Sequence, residues 1–532
     1  MTNVKVKKEP RERIGFSLGR GILGGTLSLT VSTVIVKLLG VLYKIPLAHL
    51  LGDEGMGYFN SAYTVYAFFY LLCTAGVPKA VMILVSESKA RGKGISERSI
   101  LSFSLKAFLG LGILTTLSFI LLARPIAAAI GNDRSMLTMI AIAPSMVFIS
   151  LAGVMRGYLS ANLKLSSIAV SQILEGVGKL VFGLIFARFA IKKGFSMASV
   201  SAFTILGVTL GAIFGLLYLC IAAKDIGISN YEKQKLTRLD KKCLRKRIFS
   251  ISVPITVSAA VMSITNVIDL ALIMRRLLEN GYTEIEATSL YGNYTTLAVP
   301  MFNLVISLVT PISIAFLPML TQAAAREDKN GFYSSYNSMI RFTAVFAMPL
   351  MVGIFVFSRE ILSLLFGDTG VDTGAPLLCL LAPAVFFSTA LLSVNSALEA
   401  KGGVKVPVIS MAAGSAVKIF VSYILLGNAS VGISGAPIGT VASYAVALAV
   451  SLIIAYKKYS LRSAVISNYL PPLVNSFISV ISARLVFDTV TRSLNSSLAL
   501  IIAVFIAIIF YLFLSLITGT LAFDNMSESE KT

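Results

Sequence analysis

Apolar residues run in continuous stretches of about 20, each long enough to cross a hydrocarbon core of roughly 30 Å, and the stretches recur along most of the chain. The pattern predicts about fourteen spans, near residues 20–48, 57–86, 99–122, 136–159, 166–190, 198–222, 248–275, 288–322, 338–357, 376–399, 405–427, 435–456, 470–488 and 497–520. The strands of a barrel would alternate with period two over about ten residues, whereas these runs are unbroken, so they read as helices. The expected fold class is an all-α polytopic membrane protein.

Sliding the chain against itself exposes a duplication. Tyr58, Asn60 and Pro78 meet Tyr291, Asn293 and Pro311 at a shift of 233. Lys106, Arg124 and Asp133 meet Arg341, Arg359 and Asp368 at 235, and Pro144, Phe148, Ser171 and Lys179 meet Pro383, Phe387, Ser410 and Lys418 at 239. The repeating unit is about six helices. Six is even, so both halves enter the membrane in the same sense, related by an axis along the membrane normal. The expected organisation is an N-terminal tail (1–19), an N-lobe of helices 1–6 (20–222), a basic linker (223–247), a C-lobe of helices 7–12 (248–456), two further helices (457–520) and a C-terminal tail (521–532).

Polar residues inside the spans are the candidate chemistry, because ionisable groups at that depth are costly and face a protein interior or a wet cavity. Thr30, Thr33, Lys37, Gly40 and Lys44 share one face of the first span. Lys44 alternatively snorkels to the interface, a reading also open for Lys37. The segment "SQILEGVGK" puts Ser171, Gln172, Glu175 and Lys179 on one face of the fifth span. Glu175 and Lys179 are spaced for an i, i+4 ion pair within the helix. The duplicate keeps Lys418 but has Gly414 in place of the carboxylate. Lys79 follows Pro78, and Arg156 reads as a cavity residue or an interfacial anchor. Asp269 either neutralises Lys418 or binds a coupling cation. Five lysines against Glu175 and Asp269 leave the interior net cationic, which suits a phosphate or diphosphate ligand. The expected site is therefore Lys37, Lys44, Lys79, Glu175, Lys179 and Lys418, at the interface of the halves.

Composition narrows the classes. Apolar residues are 56% of 532, charged residues 13%, and mean hydropathy is +0.84. The net charge of +21 gathers in every second loop, notably "KDIGISNYEKQKLTRLDKKCLRKR". That is the positive-inside pattern; it places both termini in the cytoplasm and favours anionic lipid over nucleic acid. The first apolar stretch is too long for a cleavable signal. Cys73, Cys220, Cys243 and Cys379 have no metal or disulfide spacing, and His49 is the sole histidine. No enzymatic constellation, metal site or cofactor is expected; coupling to a monovalent cation or to the membrane potential is left open.

The segments "VKLLGVLYKIPLAHLLGDEGMGYFNSAY", "TAGVPKAVMILVSESKARGK" and "SQILEGVGK", with six plus six plus two helices, resemble the polysaccharide-transporter branch of the multidrug, oligosaccharidyl-lipid and polysaccharide (MOP) exporter superfamily. The likeness is nearest to its SpoVB and MurJ-like members and covers nearly the whole chain. It implies a flippase in the bacterial cytoplasmic membrane, working in vegetative wall growth, sporulation or capsule export. The substrate would be an undecaprenyl-diphosphate-linked sugar or peptidoglycan precursor such as lipid II, crossing through a cavity between the lobes by alternating access. Lys37 matches the first-helix basic residue of such members, and the last two helices would hold the lipid tail. The expected partners are that lipid and membrane phospholipids, with the protein a monomer. The chain departs from the pattern in lacking a basic residue in "SLYGNYTTLAVP" and in carrying Lys418 where some members have a polar sodium ligand. The alternatives are a cation-coupled multidrug exporter, whose site should be acidic and aromatic, and a non-transporting membrane scaffold for wall or spore assembly.

Overall fold

A backbone surrounded by hydrocarbon must satisfy its own hydrogen bonds, and among the described residues every regular element is a helix. The structure is a computed structural model describing residues 11–91, 95–224, 237–461 and 464–520, without the side chains of 11–39, 41–42, 90–91, 257–259 and 261–262. The first half comprises α1 (Arg11–Thr74), α2 (Val77–Arg91), α3 (Glu97–Ile130), α4 (Ser135–Ile142), α5 (Ser145–Ala161), α6 (Leu165–Lys192) and α7 (Met197–Lys224). The second comprises α8 (Arg238–Glu279), α9 (Glu284–Asn293), a π-turn (Tyr294–Ala298), α10 (Val299–Ala325), α11 (Lys329–Val356), α12 (Ser358–Phe366), α13 (Val371–Leu381), α14 (Pro383–Ala400), α15 (Val406–Leu426) and α16 (Gly435–Tyr459). Two helices follow, α17 (Val465–Val490) and α18 (Ser496–Ile517).

Each predicted span falls on helix, but several differ in form. The acidic segment "GDEGMG", expected as a loop, is absorbed into α1, which breaks only at Gly52 with φ 61° and ψ −172°. A side chain there would clash with its own backbone, so glycine alone takes that conformation without strain. The spans at 136–159 and 376–399 are each two helices. Pro144 caps α5 and Pro383 opens α14, and α13 and α14 meet at a 42° bend. Proline has no N–H to continue a helix, so the duplicated proline breaks the same helix in both halves.

Among the described residues, eleven helices are long and apolar enough to cross a membrane, twelve if the bent pair is one span. The expected spans at 20–48 and 248–275 lie partly outside the residues so counted.

The chain divides into two units whose bounds differ from the expected lobes. Unit 1 holds residues 1–47, 61–128 and 133–267; unit 2 holds 48–60, 129–132 and 268–532. The first part of α8 thus belongs with unit 1. Its Leu244 and Ile248 join Val77, Val81, Leu84, Tyr158, Leu159 and Leu219 in one buried core. In unit 2, residues 48–60 are held by Asn60 Nδ2 donating to Thr296 Oγ1 at 2.7 Å and by Asn293 Nδ2 donating to Asp53 Oδ2 at 3.2 Å. The α17 and α18 helices pack on α11 and α12 through Val352, Phe357, Val480, Ala483, Phe487, Leu500 and Ala503.

Within each unit one helix pair is drawn together by small residues. A Cβ added at Gly178 would lie 2.8 Å from Gly211 Cα, one at Gly207 2.7 Å from Gly183 Cα and 2.9 Å from Lys179 O, and one at Gly211 against Glu175 O. The α15 and α16 pair repeats this: a Cβ at Gly414 would meet Ser443 O at 2.5 Å. Such contacts let membrane helices gain dispersion where lipid gives no hydrophobic drive. They also fix the azimuth of Glu175 and Lys179. The duplicated serines make equivalent bonds, Ser171 Oγ to Ile168 O at 2.8 Å and Ser410 Oγ to Pro407 O at 3.1 Å. Leu114, Leu117 and Leu121 on α3 and Phe505, Leu516 and Ile517 on α18 are more than half exposed, as side chains facing acyl tails should be.

Candidate functional site

In unit 1, the charged face of α6 meets α5 and the second half of α1. The Arg156 guanidinium on α5 donates from Nη2 to Glu175 Oε2 at 2.6 Å, with side chains 14% and 27% exposed. Of the alternatives the sequence leaves open, Arg156 here engages a carboxylate and Glu175 is paired across helices, not with Lys179. A guanidinium offers a planar fork of donors to a carboxylate, which an ammonium on the same helix cannot match.

Lys179 instead places its Nζ 4.4 Å from the centre of the Tyr63 ring and 5.2 Å from that of Tyr43. A cation over an aromatic face gains about 0.5–2 kcal/mol, more as water is removed. Lys44 is half-buried and an electrostatic neighbour of Lys179. Tyr63, Tyr66 and Tyr70 form a row on α1, ring centres 5.6 and 5.9 Å apart. Tyr66 and Tyr70 lie in the field of Glu175, and Tyr66 accepts from Ser145 Oγ at 3.2 Å. Among the described residues, this cluster gathers three basic side chains, Lys44, Arg156 and Lys179, and the carboxylate of Glu175.

Unit 2 contains the counterpart. Lys418 on α15 donates from Nζ to Asp269 Oδ2 on α8 at 2.8 Å, both side chains mostly buried. Tyr294 and Tyr444 flank the pair; the Tyr294 hydroxyl is hydrogen-bonded to the Thr440 hydroxyl at 3.3 Å, and Tyr444 packs on Phe302. Of the two roles open to Asp269, the geometry is that of a counter-ion. Lys418, which has Gly414 in place of a carboxylate on its own helix, finds its counter-ion on α8.

The remaining candidates are scattered. Lys79 is exposed on the first turn of α2, while the side chain of Lys37 lies outside the described residues. The sequence reading missed the tyrosines, although Tyr63, Tyr66 and Tyr70 recur at i, i+3 and i+7, the spacing of one helix face. Aromatics at that spacing are ordinary in any apolar helix, so the spacing alone carries no function.

The chain matches known proteins over most of its length. A family model described as "Polysaccharide biosynthesis protein" matches residues 22–324, more than half of the chain, and one described as "MatE" matches 294–424. Stage V sporulation protein B of Bacillus subtilis (strain 168) is 24% identical over 470 residues, 86% of this chain and 90% of that protein. Lipid II flippase MurJ of the same organism is 26% identical over 426 residues, 76% of this chain and 77% of that one. Among solved structures, a lipid II flippase MurJ in an inward closed conformation superposes with a TM-score of 0.72 at 17% identity, covering 93% of this chain and 99% of that one. At that identity the superposition speaks for the fold alone. This multi-pass membrane protein belongs to the polysaccharide biosynthesis protein family, in the polysaccharide-transporter branch of the MOP superfamily.

Proposed function

We propose that the protein is a flippase that carries an undecaprenyl-diphosphate-linked sugar or peptidoglycan precursor across the bacterial cytoplasmic membrane by alternating access, with both termini in the cytoplasm. The observation that carries this reading is the excess of basic over acidic side chains among the described residues of the unit 1 cluster, Lys44, Arg156 and Lys179 with Glu175. Charge of that sign inside an apolar bundle is costly, and an anionic headgroup repays it. In this reading Lys44 and Lys179 are the groups that meet the diphosphate. The flexible ammonium stems suit a moving point charge. Lys37 and Lys79, read from the sequence as site residues, are further candidate contacts of the same headgroup. The Asp269–Lys418 pair balances charge in unit 2 and offers no carboxylate to a coupling ion while it is closed. The α17 and α18 helices hold the lipid tail.

The relatedness to a sporulation protein and a lipid II flippase supports a lipid-linked substrate. A cationic drug would be repelled by the unit 1 cluster, so an organic-cation exporter fits less well. Depletion of the protein in its own host tests the reading: a polyprenyl-diphosphate saccharide should accumulate on the cytoplasmic side. Retention of cationic dyes with normal precursor levels would favour the exporter instead.

A further inference from the structure

The first three turns of α8 bear an unusual density of cations. Around the helix at 100° per residue, Arg238, Lys242, Arg245 and Lys246 fall within an arc of about 100°, and all four are exposed. Phe249, 54% exposed, continues the same face one turn further on. Arg238 and Phe249 are eleven residues apart, so the strip is about 16 Å long at 1.5 Å per residue. Its opposite side is fastened. Leu244 and Ile248 are buried in the core of unit 1, and Arg247 Nη2 is 2.6 Å from Glu87 Oε2 on α2. Lys89, two residues further along α2, donates to Asn162 Oδ1 at 2.6 Å and lies 3.8 Å from Glu97. The basic face is therefore held at a fixed azimuth instead of swinging with a loop.

The local acid does not cancel it. Asp240 accepts from the Thr237 backbone N–H at 2.9 Å and hydroxyl at 2.7 Å, and so is committed to capping the helix start. Four outward cations ending in an exposed aromatic ring describe a surface that meets phosphate first and acyl chain next.

We propose that this face of α8 is a binding site for anionic phospholipid headgroups of the adjoining leaflet, with Arg238, Lys242, Arg245 and Lys246 on the phosphates and Phe249 in the acyl boundary. Each such basic group near an anionic surface contributes about 1 kcal/mol at low salt. Salt weakens the attraction within a Debye length of about 10 Å at 0.1 M. Because α8 is pinned to α2 through Arg247 and Glu87, lipid held here also braces that pair of helices. Lipid binding at this face does not depend on which substrate the protein carries.

The full-length protein in vesicles of phosphatidylcholine, with and without phosphatidylglycerol, tests it. The wild type should retain phosphatidylglycerol through purification and melt at a higher temperature in its presence, and both effects should fade in high salt. A variant with Arg238→Gln, Lys242→Gln, Arg245→Gln and Lys246→Gln should lose affinity for that lipid by about tenfold or more. Lys192→Gln with Lys193→Gln, two exposed cations at the end of α6, should change neither. Equal lipid retention by the fourfold variant and the wild type overturns the proposal, as does loss of retention in the Lys192 and Lys193 control. So does a shift of equal size when phosphatidylcholine vesicles carry only a polyprenyl diphosphate, which would make the face part of the substrate path.

Discussion

Glu175 turns away from Lys179, one turn further along its own helix, and bonds Arg156 from α5 at 2.6 Å. The consequence is a division of labour: the guanidinium is spent on holding α5 to α6, and the ammonium is kept on tyrosine faces.

Removing Arg156 should therefore be a stability defect. Arg156→Met removes the hydrogen-bonded partner of Glu175 in a mostly buried place, at a cost on the order of 3 kcal/mol. The double variant Arg156→Met, Glu175→Met should recover most of that loss, because an apolar pair of similar volume needs no counter-charge. Thermal unfolding in detergent reads both. A single variant as stable as the wild type would mean that the pair is solvated.

The same logic applies to Lys418→Met, which strands Asp269. It should lower the melting temperature, and Asp269→Asn added to it should restore the wild-type value, since the remaining amide carries no charge. A double variant no better than the single one would show that Lys418 acts through packing and not through its charge.

The glycines of α7 set the position of the charged face. A Cβ at Gly211 would meet Glu175 O, and the rest of a valine has nowhere to go. Gly211→Val should cost about 1–3 kcal/mol by overpacking and, by pushing α6 outward, reduce transport in protein that still reaches the membrane. Full transport by Gly211→Val would separate the glycine contact from the placement of Lys179.

A pH effect is expected at the start of α9. Glu286 accepts from the Thr283 backbone N–H at 2.8 Å and hydroxyl at 2.9 Å, closing a capping box, and these bonds hold its carboxyl below the ordinary glutamate range. A carboxyl lowered by folding adds stability that is present above its unfolded value and lost as pH falls through its folded value. The difference in melting temperature between wild type and Glu286→Ala should thus be largest near neutrality and shrink in acid. A gap that widens as pH falls would contradict the assignment.

Much of the fold was legible in the sequence because the bilayer imposes a length on every apolar run, and because the duplication repeats its irregularities. Pro144 and Pro383 break equivalent helices, and Ser171 and Ser410 make equivalent bonds. The charge partners were not legible. Glu175 had Lys179 at the favoured i, i+4 spacing, yet helix packing brought Arg156 from 19 residues earlier, and Asp269 reached Lys418 from 149 residues away. Spacing along one helix describes the choices open to a side chain; which one is taken depends on the azimuth of the neighbouring helix, here set by glycines such as Gly207 and Gly211.

The most direct test of the transport claim is the rate at which purified protein in vesicles moves an undecaprenyl-diphosphate saccharide between leaflets, compared among wild type, Lys179→Ala, Lys179→Arg and Lys44→Ala with Lys179→Ala. Retained positive charge should preserve the rate, the single alanine should lower it about tenfold, and the double variant should abolish it while still inserting and melting as a folded protein. Unchanged movement of the lipid by the double variant would contradict the account.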